Sequence, residues 1–374
     1  MRDGWAKLAR TRTSVVVVGG GLSGLRSAQL LAEQGVDFVL LEARPRLGGR
    51  ILSLPTSTGG STNASQRYDL GPAWYWPAMQ PHMARFVSHL GLPAFPQYSS
   101  GAVAIERFRL EPVRHASGYD PEPASMRLVG GAQALVDALA ARLPEERLHL
   151  GRKVTAIARD AAAVRIEAVS DQGERTAVIT SKVILALPPR LAARTIEFTP
   201  SLPAETRRSW AATLTWMAGQ AKLVAVYGHA FWRETGLSGS AQSMVGPLAE
   251  VHDASALFGD PALFGFVGVS ASGRRALGPR LPELAIAQLV RLFGQDAGNP
   301  KAVLLKDWAD DPLTATVEDA EPASDHPAFG TGAGVGPDWE RALLVAGTEA
   351  ARSGGGYLEG ALVAAEDAVG LCQA

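Results

Sequence analysis

A glycine-rich turn near the start of the chain has the residue types that bind a pyrophosphate. Gly19 permits a tight turn, Gly21 lets the backbone approach a phosphate closely, and Gly24 lets a helix pack against a strand. A helix that begins at Ser23 offers unpaired N–H groups and its positive dipole end to the phosphates. Glu42 can accept hydrogen bonds from both ribose hydroxyls, and its charge disfavours the 2′-phosphate of NADP. Together these residues predict a dinucleotide site.

Two strands and one helix must position this turn. The β-branched run at residues 14–18 is typical of a strand buried on both faces. Residues 23–34 follow a helical pattern, which Gly35 ends where a left-handed residue is often needed. Residues 37–41 form a second apolar strand, and Glu42 stands at its end. The order of strand, glycines, helix, second strand and acidic residue indicates a dinucleotide site more specifically than the glycines alone. The alternative for the glycines is an ordinary βαβ turn.

Other residues that could take part in chemistry have a plain structural alternative. Lys222 shares a strand face with Val224 and Val226, and by itself it is typical of an edge-strand lysine with its ammonium group in solvent. Trp74 and Tyr357, taken alone, are typical of packing residues. The segments around these residues are needed to favour a functional role.

Composition excludes several classes of function. The chain has 374 residues, and 36 basic against 37 acidic residues give a net charge of −1, which indicates neither nucleic acid nor an anionic membrane as partner. The single cysteine, Cys372, excludes a disulfide framework, and we predict no metal site. No apolar run approaches the length of a spanning helix, about 20 residues, or of a signal peptide. We expect a soluble, cytoplasmic protein of two domains.

The segment that follows Glu42 holds a second glycine pair between arginines. Its residues are Ala43-Arg44-Pro45-Arg46-Leu47-Gly48-Gly49-Arg50. This segment resembles the flavin-containing amine oxidase family, in which FAD is the cofactor. An extended flavin cofactor needs such a second backbone approach, with cationic groups near its phosphates, so we expect cofactor contacts from Ala43, Arg44, Gly49 and Arg50. The alternative for the arginines, Arg46 above all, is a solvated loop.

The resemblance covers nearly the whole chain and implies further cofactor contacts. It is strong in residues 14–76 and 340–370, good around 216–232, and absent in 93–123, where family members carry a longer helical insertion over the substrate cavity. A helix that begins near Glu359 would direct its positive end at the flavin. The implied contacts are Ser23 in the first turn, Gly71, Pro72, Ala73 and Trp74 beside the flavin ring, Val154 at the adenine, Glu349 at the ribityl chain, and Gly347, Tyr357 and Leu358 in the closing motif.

The resemblance also implies three catalytic residues. Lys222 matches the family lysine that hydrogen-bonds a water at flavin N5, Tyr357 matches one wall of an aromatic cage, and Trp308 matches a tryptophan next to the flavin ring. Some members attach FAD through a cysteine shortly after that tryptophan, and none occurs there, so we expect noncovalent FAD. The second cage aromatic is missing near Glu318. The cage is then one-sided, or this carboxylate replaces its second wall, or Glu318 is a solvated loop residue.

The predicted fold class is α/β, with a Rossmann-type FAD-binding domain and a second, smaller mixed-sheet substrate domain. The FAD-binding domain is discontinuous, with residues 1–76, 126–212 and 340–374, and residues 77–125 and 213–339 form the substrate domain. The resemblance implies oxidation of a small amine to an imine, with oxygen reduced to hydrogen peroxide. A dehydrogenase, desaturase or isomerase on the same scaffold, and a flavin-bound interaction module without turnover, are the alternatives. A homodimer is left open.

Overall fold

The computed structural model describes residues 12–56, 66–118, 122–160, 163–320, 326–330 and 334–373. The strands are β1 (Arg12–Val18), β2 (Phe38–Leu41), β3 (Ser53–Leu54), β4 (Tyr68–Asp69), β5 (Ala94–Pro96), β6 (Ala102–Glu106), β7 (Arg114–Ala116), β8 (Met126–Leu128), β9 (Leu148–His149), β10 (Lys153–Asp160), β11 (Ala163–Val169), β12 (Arg175–Leu185), β13 (Glu197–Thr199), β14 (Ala221–Val226), β15 (Leu237–Ser243), β16 (Leu248–Asp253), β17 (Ala262–Val267), β18 (Ala302–Asp307) and β19 (Leu343–Val345). The α-helices are α1 (Leu22–Glu33), α2 (Pro81–Leu90), α3 (Gln133–Ala140), α4 (Pro189–Thr195), α5 (Ala204–Ala212), α6 (Phe231–Glu234), α7 (Ala271–Leu277), α8 (Arg280–Phe293) and α9 (Leu358–Gln373).

The first sheet carries the glycine-rich turn. Its strand order is β13-β10-β11-β12-β1-β2-β9, and β19 also pairs with β12. Strand β1 lies parallel between β12 and β2. Val15 and Val17 pack on one face with α1 and α9, whereas Val16 and Val18 pack on the other face with β10, β11 and β12. The predicted doubly buried strand is therefore confirmed.

The helix that follows the turn ends as the sequence pattern predicts. Gly35 has φ +67°, as predicted for the residue that ends α1. The segment that contains Val154 forms two strands, with Gly151 at φ +63° between them. Strand β9 pairs with β2 at one edge of the sheet, whereas β10 lies between β11 and β13.

The second sheet places Lys222 in its interior. Its strand order is β18-β14-β17-β16-β15-β6-β7, so β14 has a neighbour on each side. The edge-strand alternative for Lys222 is therefore wrong. Strand β16 was not predicted, since Glu250 and His252 give it a weak apolar pattern. Within 93–123, the described residues form β5, β6 and β7 rather than helices, and β6 extends the sheet beside β15.

The α/β fold class with a Rossmann-type unit and a second sheet is confirmed. Strands of the first sheet come from 1–76, 126–212 and 340–374, and strands of the second come from 77–125 and 213–339. The domain boundaries themselves stay a prediction, and residues 1–11 lie outside the described residues. No described helix is long and apolar enough to cross a membrane.

Candidate cofactor and active site

The glycine-rich turn is held in shape by the carboxylate of Glu42. This buried side chain accepts hydrogen bonds from the backbone N–H of Gly20 at 2.6 Å and of Arg44 at 2.7 Å. The hydroxyl of Ser23, in the first turn of α1, donates to the carbonyl of Ala346. The turn is therefore tied both to the end of β2 and to the residue after β19.

The second glycine pair folds back on the first. The N–H of Gly48 donates to the carbonyl of Gly20 at 2.8 Å, and Gly49 takes φ +58°. The guanidinium of Arg46 donates to the carbonyls of Gly49 and Ile51. Burial lowers the pKa of Arg46, and its neighbour Arg44 lowers it further. Arg46 therefore holds the loop together, and its solvated alternative is wrong.

A cavity of about 340 Å³ extends from this turn to the second sheet. Its size falls within the range of pockets that bury most of a small-molecule ligand. Both sheets contribute to its walls, so the sequence-predicted residues meet in one place. The predicted residues that line it are Gly19, Gly21, Ser23, Glu42, Arg44, Gly49, Arg50, Gly71, Pro72, Ala73, Trp74, Lys222, Trp308, Gly347, Tyr357 and Leu358.

Four predicted cofactor contacts are not among the residues that line this cavity, and they are Ala43, Val154, Gly24 and Glu349. Ala43 and Val154 line a smaller adjoining cavity, which shares Gly19 and Glu42 with the main one. Gly24 lines neither, and a Cβ at this position would overlap the carbonyl oxygen of Gly19. Its contribution is therefore the close packing of α1 rather than a contact with the cofactor.

The carboxylate of Glu349 marks a place for a ligand with hydrogen-bond donors. The side chain is fully buried, and Nη1 of Arg50 lies 2.7 Å from its Oε1. Neither carboxylate oxygen, however, accepts a hydrogen bond of good geometry from the described residues. Buried acceptors are rarely left without a donor, and a ligand hydroxyl would supply one. The hydroxyls of a flavin ribityl chain fit this requirement.

Lys222 is a buried amine that faces the cavity. The residue is 3% exposed, its Nζ donates to the carbonyl of Gly71 at 3.1 Å, and Nζ lies 3.9 Å from the ring centroid of Phe264. Burial lowers the pKa of Lys222 to about 7. The negative charge of Asp69 raises this pKa, and the positive charge of Arg127 lowers it further. The side chain therefore changes its charge near neutral pH.

Trp308 connects the second sheet to the same loop. Its Nε1 donates to the carbonyl of Leu70 at 2.9 Å, and its ring is buried. The loop that follows Trp308 is bound to the guanidinium of Arg44, which donates to Asp311 at 2.9 Å and to Thr314 at 2.7 Å. Arg44 thus lines the cavity and also holds the loop after β18.

Tyr357 belongs to an aromatic cluster that sequence reasoning did not find in full. The ring of His326 stacks on Tyr357, with centroids 4.7 Å apart and planes at 6°, and lies 4.6 Å from Trp216. Trp76 contacts Tyr357 edge to face at 6.3 Å. No local pattern marks His326 as a member of this cluster, because its ring partners Trp216 and Tyr357 lie far from it in sequence. Its Nε2 lies 2.9 Å from the carbonyl oxygen of Gly355.

Glu318 does not take the place of a second cage residue. It is exposed, forms an ion pair with Arg194 of α4, and is not among the residues that line the cavity. The prediction of a carboxylate wall is therefore wrong, and the solvated alternative is correct. The buried acid in this segment is the next residue, Asp319, which pairs with Arg190 at 2.6 Å.

The comparisons with known proteins agree with this geometry. The family model for flavin containing amine oxidoreductases matches residues 115–372, more than half of the chain. The chain belongs to this family. A model for NAD(P)-binding Rossmann-like domains matches residues 17–90, which hold the glycine-rich turn. The protein is therefore a flavin-dependent amine oxidoreductase.

Individual relatives are similar over most of their length. A probable flavin-containing monoamine oxidase A of Dictyostelium discoideum is 24% identical over 401 residues, covering 80% of this chain and 85% of its own. A putative flavin-containing monoamine oxidase, AofH, of Mycobacterium tuberculosis is 27% identical over 391 residues, covering 76% and 80%. Two solved structures share the fold. They are a putrescine oxidase with bound putrescine (TM-score 0.77, 20% identity, 97% of this chain and 100% of that chain) and the cyclohexylamine oxidase of Brevibacterium oxydans IH-35A (TM-score 0.76, 18% identity, 96% and 99%).

An added methyl group should have different effects at Gly21 and at Gly24. A Cβ on Gly21 would meet no heavy atom closer than 3.9 Å, and φ −74° suits any residue, so Gly21→Ala should leave the apoprotein as stable as wild type. The methyl group would occupy the approach of the pyrophosphate, and we expect FAD affinity to fall at least about tenfold. Gly24→Ala should instead lower the free energy of unfolding of the apoprotein by about 1–3 kcal/mol through overpacking, and its melting temperature should fall with it. Thermal unfolding and FAD titration distinguish the two, and equal destabilisation would contradict the separate roles.

The burial of Lys222 should make the stability of the apoprotein depend on pH. Because its pKa is about 7 in the folded chain and 10.5 ordinarily, the unfolded chain keeps a proton that the folded chain releases between these values. The free energy of unfolding should therefore rise with pH across this window, by up to about 1.4 kcal/mol per pH unit. Lys222→Met should remove the rise, whereas Lys301→Met, at a half-exposed lysine, should keep it. Denaturant titrations at several pH values measure the slope, and equal slopes in wild type and Lys222→Met would refute the assignment.

Proposed function

We propose that the protein oxidises the carbon–nitrogen bond of a small, uncharged amine, with oxygen as the electron acceptor. One amine and one oxygen molecule give one imine and one hydrogen peroxide, and water then hydrolyses the imine. The observation that carries this proposal is the meeting of the glycine-rich turn, buried Lys222 and Tyr357 in one cavity. Membership in the family supports the amine as substrate.

The residues present fit FAD along the length of the cavity. Bound flavin would supply the acceptor for a hydride from the carbon next to the amine nitrogen. The turn at Gly21 would hold the pyrophosphate, Glu42 the adenosine ribose and Glu349 the ribityl hydroxyls. The first turn of α9, at Leu358, lines the cavity and would bring the positive end of the helix dipole to the ring.

FAD is proposed to be noncovalent. The only cysteine of the chain, Cys372, lies in the last turn of α9 and is not among the residues that line the cavity. Acid precipitation should therefore release all of the flavin into the supernatant. Flavin absorbance that stays with the precipitated protein would contradict noncovalent binding.

Lys222 and Tyr357 are proposed to act on the substrate side. The Nζ of Lys222 donates one hydrogen bond to the carbonyl of Gly71, and with a remaining N–H it would hold a water molecule at the reacting edge of the cavity. Tyr357, supported by its stack with His326, would form an aromatic wall along which the amine enters. Trp308 would hold its position through its bond to Leu70.

The walls of the cavity favour an apolar monoamine. Glu42, the only carboxylate among the described lining residues, accepts backbone hydrogen bonds at the nucleotide turn. The two lining arginines, Arg44 and Arg50, are paired with Asp311 and Glu349. The second ammonium of a diamine and the carboxylate of an amino acid therefore both lack a free partner. The likeness to cyclohexylamine oxidase accords with this preference better than the likeness to putrescine oxidase.

An amine panel tests the proposal. Cyclohexylamine, a diamine of matched length and an amino acid are compared by anaerobic bleaching of the flavin, and by oxygen consumption with peroxide detection. We expect kcat/KM for the monoamine to exceed that for the diamine at least about tenfold, the cost of one unpaired polar group. Lys222→Met should keep its flavin and lose at least about tenfold in turnover, or ~1.4 kcal/mol. Glu318→Gln is the surface control and should change neither value.

Each alternative gives a different result in the same assays. Flavin that bleaches with an amine but consumes no oxygen would indicate a dehydrogenase. If none of the tested amines bleaches the flavin, a desaturase, an isomerase or an interaction module would be favoured. Unchanged steady-state rates in Lys222→Met would show that Lys222 serves the packing of the sheet alone. A diamine that outperforms the monoamine would refute the assignment of the cavity walls.

A further inference from the structure

Met217 has a backbone conformation that normally belongs to glycine. It is the third residue of a turn closed by the bond from Ala218 N–H to the Thr215 carbonyl at 3.1 Å, and its φ is +62°. A turn with positive φ at this position and not at Trp216 favours Gly or Asn there. Among the described non-glycine residues, only Arg341 shares such a φ, and it lies exposed at the surface. A methionine in this conformation is strained.

The turn cannot relax, because its backbone is held on both sides of Met217. On one side, Nη1 of Arg50 donates to the carbonyl of Trp216 at 3.1 Å. On the other side, Nη2 of the buried Arg274 donates to the carbonyl of Gly219 at 2.9 Å. Two arginines therefore hold the carbonyls of Trp216 and Gly219, one on each side of the left-handed residue.

Met217 belongs to the wall of the cavity next to the aromatic cluster. It is 37% exposed and lines the cavity together with Trp216 and Gln220. The ring of Trp216 lies directly against Gly356, where an added Cβ would come within 3.0 Å of it, and Tyr357 follows. Met217 is therefore a lining residue whose neighbour in sequence packs against the loop that carries Tyr357.

We propose that Met217 is a specificity-determining residue, which contacts the apolar part of the amine. A glycine would suit the turn better, so the retained side chain needs a role that the backbone does not supply. A thioether chain is unbranched and flexible, and it adapts to apolar ligands of different shape. The inference rests on the proposed amine oxidation, and it adds that selection for chain length depends on this one side chain.

Three substitutions separate the side chain from the strain. Met217→Gly removes both, Met217→Ala keeps the strained conformation without the thioether, and Met217→Leu keeps an apolar side chain of similar size. The first measurement is the melting temperature of each apoprotein. We expect Met217→Gly to melt at least about 2 °C above Met217→Ala, the reverse of the order at an ordinary position. An equal or reversed order would overturn the assignment of strain.

The second measurement is the ratio of kcat/KM for hexylamine to that for propylamine. We expect this ratio to fall about tenfold in Met217→Gly and Met217→Ala, and to stay within about twofold of wild type in Met217→Leu. An unchanged ratio in Met217→Gly and Met217→Ala would overturn the inference, as would a loss of FAD affinity with no change in the ratio, since Met217 would then pack on the cofactor. If wild type oxidises no amine, the proposed function itself fails; wild-type turnover with an unchanged ratio refutes only the role of Met217.

Discussion

An amine buried as deeply as that of Lys222 must find its hydrogen-bond partners inside the protein. The partner is the backbone that follows β4, where Gly71 accepts from Lys222 and Leu70 accepts from Trp308. Lys222 lies in β14 of the second sheet, Trp308 directly follows β18 of the same sheet, and both acceptors belong to a loop that also lines the cavity. Two adjacent carbonyls therefore fix the second sheet against the segment beside the cofactor turn, and the cavity walls depend on this attachment.

The nucleotide end of the cavity and the proposed flavin end differ in how their hydrogen-bonding groups are satisfied. At the nucleotide end, Glu42 and the bond from Gly48 to Gly20 complete the turn with the protein's own groups, so its shape precedes any ligand. Near the other end, next to Thr348 of the cavity wall, the buried carboxylate of Glu349 is paired with Arg50 but receives no well-formed hydrogen bond from the described residues. A buried carboxylate without such a bond destabilises the chain. Under the proposed function, ribityl hydroxyls that donate to Glu349 would recover that loss, and cofactor binding would be coupled to folding.

The sequence predicted the features that depend on local pattern. The strand–turn–helix around Gly21, the end of α1 at Gly35, and the residues that gather around Lys222 all follow from glycine positions, apolar periodicity and family motifs. It did not predict features that depend on distant partners. The interior place of Lys222 requires the pairing of β14 with β17 and β18, and the exposed place of Glu318 depends on Arg194 in another segment. The positive φ of Met217 likewise occurs in a turn whose carbonyls are bound by two arginines distant in sequence, and no local pattern contains these partners.

The same surroundings would act on Lys222 and on a bound amine. Burial disfavours the charged form of Lys222 and lowers its pKa to about 7, and an ammonium ion that entered beside it would lose its hydration in the same way. The only carboxylate among the described lining residues is that of Glu42, which accepts two backbone hydrogen bonds at the nucleotide turn. A charged Lys222 would also repel an ammonium ion. Under the proposed function, the amine would therefore bind in its neutral form, which keeps the nitrogen lone pair available when the adjacent carbon gives up a hydride. No separate basic residue would then be required, because the cavity would select the deprotonated substrate.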